Sequence, residues 1–325
     1  MHIFITGGAG YIGSATAEAL LTNGHSVTVY DSLVTGHRAA VPAGAKFIHA
    51  DLSDSHALTR ALTAERFDAI LHFAAFIEAG ESMRDPGRFY HNNLVNSLAL
   101  IETAVRAGVK RFVLSSTAAV YQSSDEPLRE ESPLGPTNVY GHTKLIVEQA
   151  LDWYRRIHGL RFAALRYFNA SGALPGRGEA HQPESHLIPL VLRVALGQRE
   201  AVTIFGSDYP TPDGTCIRDY IHIADLVSAH LLALEALDEH DRLIYNLGNG
   251  QGYSVLEVIE TARAVTGHPI PAREAPRRPG DPARLVASSQ KIRHELGWQP
   301  QHPTLHEIIA SAWEWHRTHP NGYEE

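Results

Sequence analysis

A single cysteine, Cys216, is the only thiol in 325 residues. One thiol closes no intrachain disulfide and builds no zinc cluster. A disulfide scaffold is thereby excluded, and a reducing, cytoplasmic setting is the expectation. Long apolar runs are also missing: no stretch of about 18 uncharged apolar residues is present, so no helix is expected to span a membrane. Positive charge is short, with 28 Lys and Arg against 36 Asp and Glu, a net charge of −8 and no basic block. Nucleic acid is therefore not an expected partner. The opening Met1-His-Ile-Phe-Ile-Thr6 has no cationic segment followed by an apolar run, and it reads as a first strand, not a secretion signal. The 20 histidines include no His-Glu-x-x-His, so no metal is expected. His181 and His186 lie in a polar, proline-containing stretch, and most of the histidines read as solvated surface residues. Internal repeats and low-complexity tracts are absent.

What is present is ordinary globular composition, 44% hydrophobic and 20% charged, on a chain long enough for one large or two moderate domains. Short β-branched runs at 2–6, 26–30, 46–50, 69–73, 111–115 and 161–166 alternate with helical patterns near 11–23, 54–64, 88–107 and 139–157. That alternation predicts an α/β fold, a Rossmann-type doubly wound parallel sheet covered on both faces. Cores such as Phe112-Val113-Leu114 are apolar without alternation, as suits strands buried on both sides. After Asn169 a Gly- and Pro-rich stretch at 170–185 marks a boundary. Residues 1–169 are expected to form the dinucleotide-binding domain, with a return of segments near 219–247. Residues 170–325 are expected to form mainly a smaller mixed α/β substrate domain. Helices are expected there near 185–197, 223–238, 254–266, 288–296 and 303–317, with brief strands near 202–205 and 243–247. Pro210–Gly214 and Pro276–Pro282 read as turn-rich loops.

The first βα junction carries Gly7-Gly8-Ala9-Gly10-Tyr11-Ile12-Gly13. Glycines at 7, 10 and 13 permit a tight turn and let a pyrophosphate approach the helix's amino end. Asp31 ends the second strand, 18 positions after Gly13, where an acid bonds the adenosine ribose. A carboxylate there repels a 2′-phosphate, so NAD is favoured over NADP. Asp51-Leu52 and Phe73-Ala74-Ala75 follow the third and fourth strands, at the sheet edge where such folds bind ligands. A second constellation lies downstream: Ser115-Ser116-Thr117, then Tyr140-Gly-His-Thr-Lys144. On a helix Tyr140 and Lys144 stand one turn apart on one face. A phenol ionises near pH 10, and a neighbouring ammonium lowers that value. A phenol so tuned can take a proton from a substrate hydroxyl while a nicotinamide takes the hydride.

Together these residues resemble an extended short-chain dehydrogenase/reductase. More narrowly the chain resembles the UDP-glucose 4-epimerase family. The resemblance rests also on Gly80-Glu-Ser82, Leu165–Asn169, Gly206–Gly214, Arg218-Asp-Tyr-Ile-His222, Tyr245–Gly248 and Pro276–Asp281. It implies tightly bound NAD, regenerated each cycle, and inversion of a UDP-sugar at C4 through a 4-keto sugar. By resemblance Tyr140 is the base, Lys144 holds the nicotinamide ribose, and Thr117 bridges the sugar O4 and the phenol. The implied cofactor contacts add Tyr11, Ile12, Ser32, Leu33, Thr35, Gly36, Asn92, Tyr167 and Phe168. The implied substrate contacts are Asn169, His186 and Leu187, then Thr203-Ile204-Phe205 flanking uracil, Arg218 and Arg278 on the diphosphate, and Asp281 on a ribose hydroxyl. Leu285 falls where the family gates sugar size.

Departures are visible. Ile77 and Glu78 stand where some members place a lysine over the cofactor, and His186 stands where some carry asparagine. A 4,6-dehydratase needs an acid beside the threonine, and Thr117-Ala118-Ala119 offers none. Epimerisation of other UDP-sugars, acetylated ones included, stays open. So does a net dehydrogenase, which would accumulate free NADH, and a non-catalytic dinucleotide sensor would carry a broken Tyr/Lys pair. The apolar helices at 88–107 and 139–157 suggest a symmetric homodimer.

Overall fold

Seven parallel strands form the backbone of the fold in a computed structural model that describes residues 1–278 and 281–324. In chain order they are β1 (His2–Thr6), β2 (Ser26–Asp31), β3 (Lys46–His49), β4 (Ala69–His72), β5 (Arg111–Thr117), β6 (Arg161–Tyr167) and, much later, β10 (Arg242–Leu247). They lie side by side as β10-β6-β5-β4-β1-β2-β3. The first six follow the Rossmann order with its reversal between β1 and β4. Alternate side chains feed two cores. Ile3, Ile5, Val113 and Leu165 pack towards helices α1 (Tyr11–Thr22) and α8 (Ile223–Ala236). Phe4, Phe112, Leu114 and Phe162 pack towards α2 (Ser55–Ala64), α5 (Asn96–Arg106) and α6 (Val139–His158). Burial on both faces is why these strands carry unbroken apolar runs.

The helix expected at 88–107 is interrupted. After the short α3 (Ala79–Ser82), α4 (Pro86–Phe89) leads into a π-helical turn at Tyr90–Val95 before α5 begins. The cause is a tertiary tie. Buried Asn93 accepts from the Phe76 backbone N–H at 2.9 Å and donates to its carbonyl at 2.8 Å, drawing the turn towards the loop after β4. Such a widened turn often marks a functional site. Strand β5 runs two residues beyond expectation, to Thr117.

The remaining elements are short. β7 (Asn169–Ser171) pairs in parallel with β9 (Ile217–His222), which also meets β11 (Gly252–Ser254) antiparallel and β13 (Arg284–Leu285) parallel. β8 (Val202–Phe205) pairs with β12 (Ala272–Ala275). Helices α7 (Leu187–Ala195), α9 (Val255–Thr266) and α11 (Leu305–Thr318) share a third core with them. α10 (Gln290–Leu296) joins the first core through Ile292. Strands β7, β9, β11, β12 and β13 are not among the sequence expectations. Pro279 and Gly280, part of the expected loop at Pro276–Pro282, lie outside the described residues.

Candidate active site

The glycine turn at the end of β1 is built for close approach. Gly7 has φ +73°, and a Cβ there would lie 2.5 Å from the Ala74 nitrogen. A Cβ on Gly13 would run into the Gly7 carbonyl. The β1 turn, α1 and the Phe73-Ala74-Ala75 loop therefore meet backbone to backbone. That leaves a cradle lined by main-chain N–H groups at the amino end of α1, the geometry a pyrophosphate needs. Tyr11 and Ile12 begin the helix, and the Tyr11 hydroxyl donates to the Gly172 carbonyl at 2.7 Å. Asp31, at the end of β2, accepts from the backbone N–H of Ala9 at 2.9 Å and of Leu33 at 2.8 Å. Burial lifts its carboxyl above the usual range against those two donors. Each oxygen keeps acceptor capacity for a ribose hydroxyl. Ser32, Leu33, Thr35 and Gly36 form the loop that follows. Leu33 has φ +58°, and Gly36 packs against Ala9. Asp51 and Leu52 follow β3, with Asp51 accepting from the Ser53 N–H at 2.8 Å. These residues fit a dinucleotide with an unphosphorylated ribose.

The reacting groups gather at the carboxyl ends of β5 and β6. Asn138 caps α6 by accepting from the Gly141 N–H at 2.8 Å. Gly141 permits the helix to start against the turn at Ala118–Val120, because a Cβ there would strike the Ala119 carbonyl. This fixes Tyr140, whose phenol faces the Thr117 hydroxyl at the end of β5. Thr117 also accepts from the Ala119 N–H at 3.1 Å. The Lys144 ammonium, one turn along, is 2% exposed and donates to the Ser115 carbonyl at 2.8 Å. Tyr167 and Phe168 close β6 on one side, and Asn92 lies in the π-helical turn, donating to Asn93 at 2.9 Å.

The Tyr140 phenol is set by opposing effects within the chain. Burial pushes it up to about 12, with the Thr117 hydroxyl acting against burial and the Glu78 carboxylate adding to it. Lys144 is held down at about 8 by burial, opposed by the charge of Glu148. Tyr140 and Lys144 are held one turn apart on α6, and burial works against the charged form of each.

The substrate-side residues fall into two groups. Asn169 opens β7 and donates from its amide to the Asp219 carbonyl at 2.7 Å. Leu187 begins α7 and His186 directly precedes it, paired with Glu184 at 2.8 Å. Burial disfavours the His186 cation, but Glu184 and Glu179 outweigh it and hold the imidazole up at about 9. Along β8, Ile204 turns into the third core. Thr203 and Phe205, on either side of it, are half-buried. The Arg278 guanidinium lies 4.0 Å above the Phe205 ring. Arg218 on β9 donates to Asp281 and stands opposite Leu285 of β13. Leu285 and Phe168 each pack against the cluster of Val120, Tyr121, Leu128 and Leu145.

Several site residues have no local sequence signature. His72, at the end of β4, lies between Thr6 at 2.6 Å and the Ser97 hydroxyl at 2.7 Å. Ser97 donates its proton to the Asn93 carbonyl at 2.6 Å. The His72 Nε2 must therefore be the donor to Ser97, and its Nδ1 accepts from Thr6. Burial holds this imidazole down at about 3. Ser82 accepts from the Tyr140 backbone N–H at 3.1 Å, tying α3 to α6. Among the described residues no group of three or more His, Cys, Asp or Glu is placed to hold a metal ion.

Known proteins are similar to this chain along its length. A family model described as the NAD dependent epimerase/dehydratase family matches residues 3–248. A protein named UDP-glucose 4-epimerase from Halalkalibacterium halodurans is 51% identical over 327 residues, spanning 99% of this chain and 98% of that one. A crystal structure of UDP-glucose 4-epimerase superposes with a TM-score of 0.97 at 51% identity, covering 100% of both chains. The Bifidobacterium longum UDP-glucose 4-epimerase, crystallised with NAD+ and UDP, matches with a TM-score of 0.95 at 37% identity over 99% and 100% of the two chains.

Proposed function

We propose that this chain, which belongs to the NAD-dependent epimerase/dehydratase family, interconverts UDP-glucose and UDP-galactose through a transient 4-keto sugar. The observation that carries the reading is the Tyr140 phenol facing Thr117 with Lys144 one turn along α6, at the sheet edge that also presents the glycine turn. When bound, NAD supplies the two-electron acceptor that C4 requires and a positive charge for the site. Tyr140 accepts the proton from the sugar O4, Thr117 bridges the two oxygens, and Lys144 binds the nicotinamide ribose. Residues 1–169, with 219–247, hold the dinucleotide, and 170–325 hold mainly the UDP-sugar. Arg218 and Arg278 take the diphosphate, a task suited to a planar fork of donors. Asp281 orients Arg218 and accepts from a ribose hydroxyl. Asn169, His186, Leu187, Thr203, Ile204 and Phe205 complete that end, and Leu285 limits the sugar.

The test uses the purified protein with UDP-galactose and no added NAD. UDP-glucose is expected to form without free NADH accumulating. Parallel incubations with UDP-N-acetylgalactosamine and UDP-glucuronate measure how far Leu285 admits larger sugars. No conversion of any of the three by protein that retains NAD would overturn the proposal.

The same reading makes the molecule a cytoplasmic homodimer joined through α5 and α6. Its support is apolar exposure on and beside these helices: Trp153 is 60% exposed, Ile157 67% and Val95 50%. No helix among the described residues is long and apolar enough to cross a membrane. Replacing Trp153 with arginine at that face is expected to convert a species of twice the chain mass into monomer by light scattering. A wild-type protein that scatters as a monomer would remove the dimer from the proposal.

A further inference from the structure

The loop after β4 carries a carboxylate with no counterpart in the proton relay described above. Glu78 directly precedes α3, whose last residue, Ser82, accepts from the Tyr140 backbone N–H. One Glu78 oxygen lies 2.8 Å from the His181 Nε2, across 103 residues of sequence, and the other accepts from the Ile77 N–H at 3.1 Å. Both partners are largely enclosed, with side chains 21% and 10% exposed. His181 belongs to the segment between β7 and α7, so the pair fastens the β4 loop to the substrate-side loop. His181 is itself braced, its backbone N–H donating to Glu179 at 2.9 Å.

We propose that Glu78 and His181 form a positioning pair for Tyr140: the clasp closes the two loops over the reacting centre, and the charge balance within it sets how readily the phenol ionises. The proposal rests on Tyr140 as the proton acceptor. The charges involved are few. Tyr140 faces Thr117, Glu78 and the neighbouring phenol of Tyr167, and Lys144 stands one turn away on its own helix, directed at Ser115. His181 faces Glu78, Glu179 and, 6.2 Å between ring centres, His186, which is paired with Glu184. The hydrogen bond from His181 holds the Glu78 carboxyl down at about 2, and Glu78 in turn lifts His181. A protonated His181 offsets the carboxylate, whereas a neutral one leaves an uncompensated negative charge facing the phenol. Like charges disfavour each other's ionised forms, so that charge makes Tyr140 a weaker acid.

This predicts opposite consequences for the two halves of one pair, which a purely mechanical clasp does not. The experiment is the pH dependence of kcat/KM for the NAD-loaded enzyme with UDP-galactose. Glu78→Gln removes the repelling charge and keeps a hydrogen-bond partner, so the acid limb is expected to move down by roughly half a unit to one unit. His181→Gln keeps a donor and removes the balancing charge, so the limb is expected to move up by a similar amount. The double variant is expected to return close to wild type. Glu78→Asp keeps the charge and shortens the reach, so it is expected to raise KM with the limb unmoved. Shifts of one sign, or losses of kcat with no shift, would overturn the proposal and leave Glu78 and His181 as a structural tie. Tyr140→Phe assayed alongside separates the two failures. An inactive Tyr140→Phe with unshifted limbs sinks only the positioning pair, while an active one sinks the proton acceptor on which it rests.

Discussion

Tyr140→Phe is expected to lower kcat by about 10³-fold or more, with NAD still bound and thermal stability close to wild type. The size of the effect follows from the phenol's surroundings. Burial pushes it up to about 12. Bringing it from there to neutrality takes about 7 kcal/mol at 1.36 kcal/mol per pH unit. One positive charge about 4 Å away contributes on the order of 4 kcal/mol at an effective dielectric of about 20. Lys144 alone is therefore insufficient, and its ammonium is directed at the Ser115 carbonyl. A second positive charge would close the difference, so the phenol is expected to act as a base only in the loaded enzyme. Phenylalanine keeps the ring and its packing but removes the oxygen that all this electrostatic work serves. The check is single-turnover conversion of UDP-galactose by protein with its NAD quantified. Activity above about a tenth of wild type would remove Tyr140 from the reaction.

The parts of this arrangement that were legible in the sequence are those carried by local pattern. Strands buried on both faces must be apolar at every position, so Phe112-Val113-Leu114 announced β5 directly, although its last two residues, Ser116 and Thr117, are polar and hid the strand's true end. The four-residue spacing of Tyr140 and Lys144 announced a shared helical face, but spacing says nothing of where an ammonium points. The π-helical turn was illegible because its cause, the double hydrogen bond between Asn93 and Phe76, joins residues 17 apart through the fold. Strand β9 was illegible for a related reason. Its Asp219 is fully buried, an unusual place for a carboxylate. It is there because it accepts from the backbone N–H groups of Asn249, Gly250 and Ala287. The Glu78–His181 pair has no local pattern at all, and a polar, proline-containing segment reads as surface until its partner is seen.

A second large effect is expected from Glu148, one turn beyond Lys144 on α6. Its carboxylate accepts from the Arg166 Nε at 3.0 Å and Nη2 at 2.6 Å, and from the Ser116 hydroxyl. The two charged side chains are 4% and 3% exposed. Arg166 also donates to the Tyr121 hydroxyl at 2.8 Å, which donates to Asn246 at 2.7 Å, so the network joins α6 to β5, β6 and β10. Glu148→Ala strands a buried guanidinium, at a cost of about 3–5 kcal/mol. With roughly 2.1 cal/mol/K of unfolding entropy per residue, that lowers Tm by about 4–7 °C. Replacing both partners, Glu148→Leu with Arg166→Met, leaves no unpaired charge and is expected to recover most of the loss. Activity should not recover with it. Glu148 opposes the burial that holds Lys144 down at about 8, so an apolar pair leaves the ammonium with less support and Lys144 increasingly neutral at pH 7. Calorimetry and steady-state assays on the same double variant separate the two roles. A double variant that regained stability and full kcat together would reduce Glu148 to packing, and a single variant melting with the wild type would deny even that.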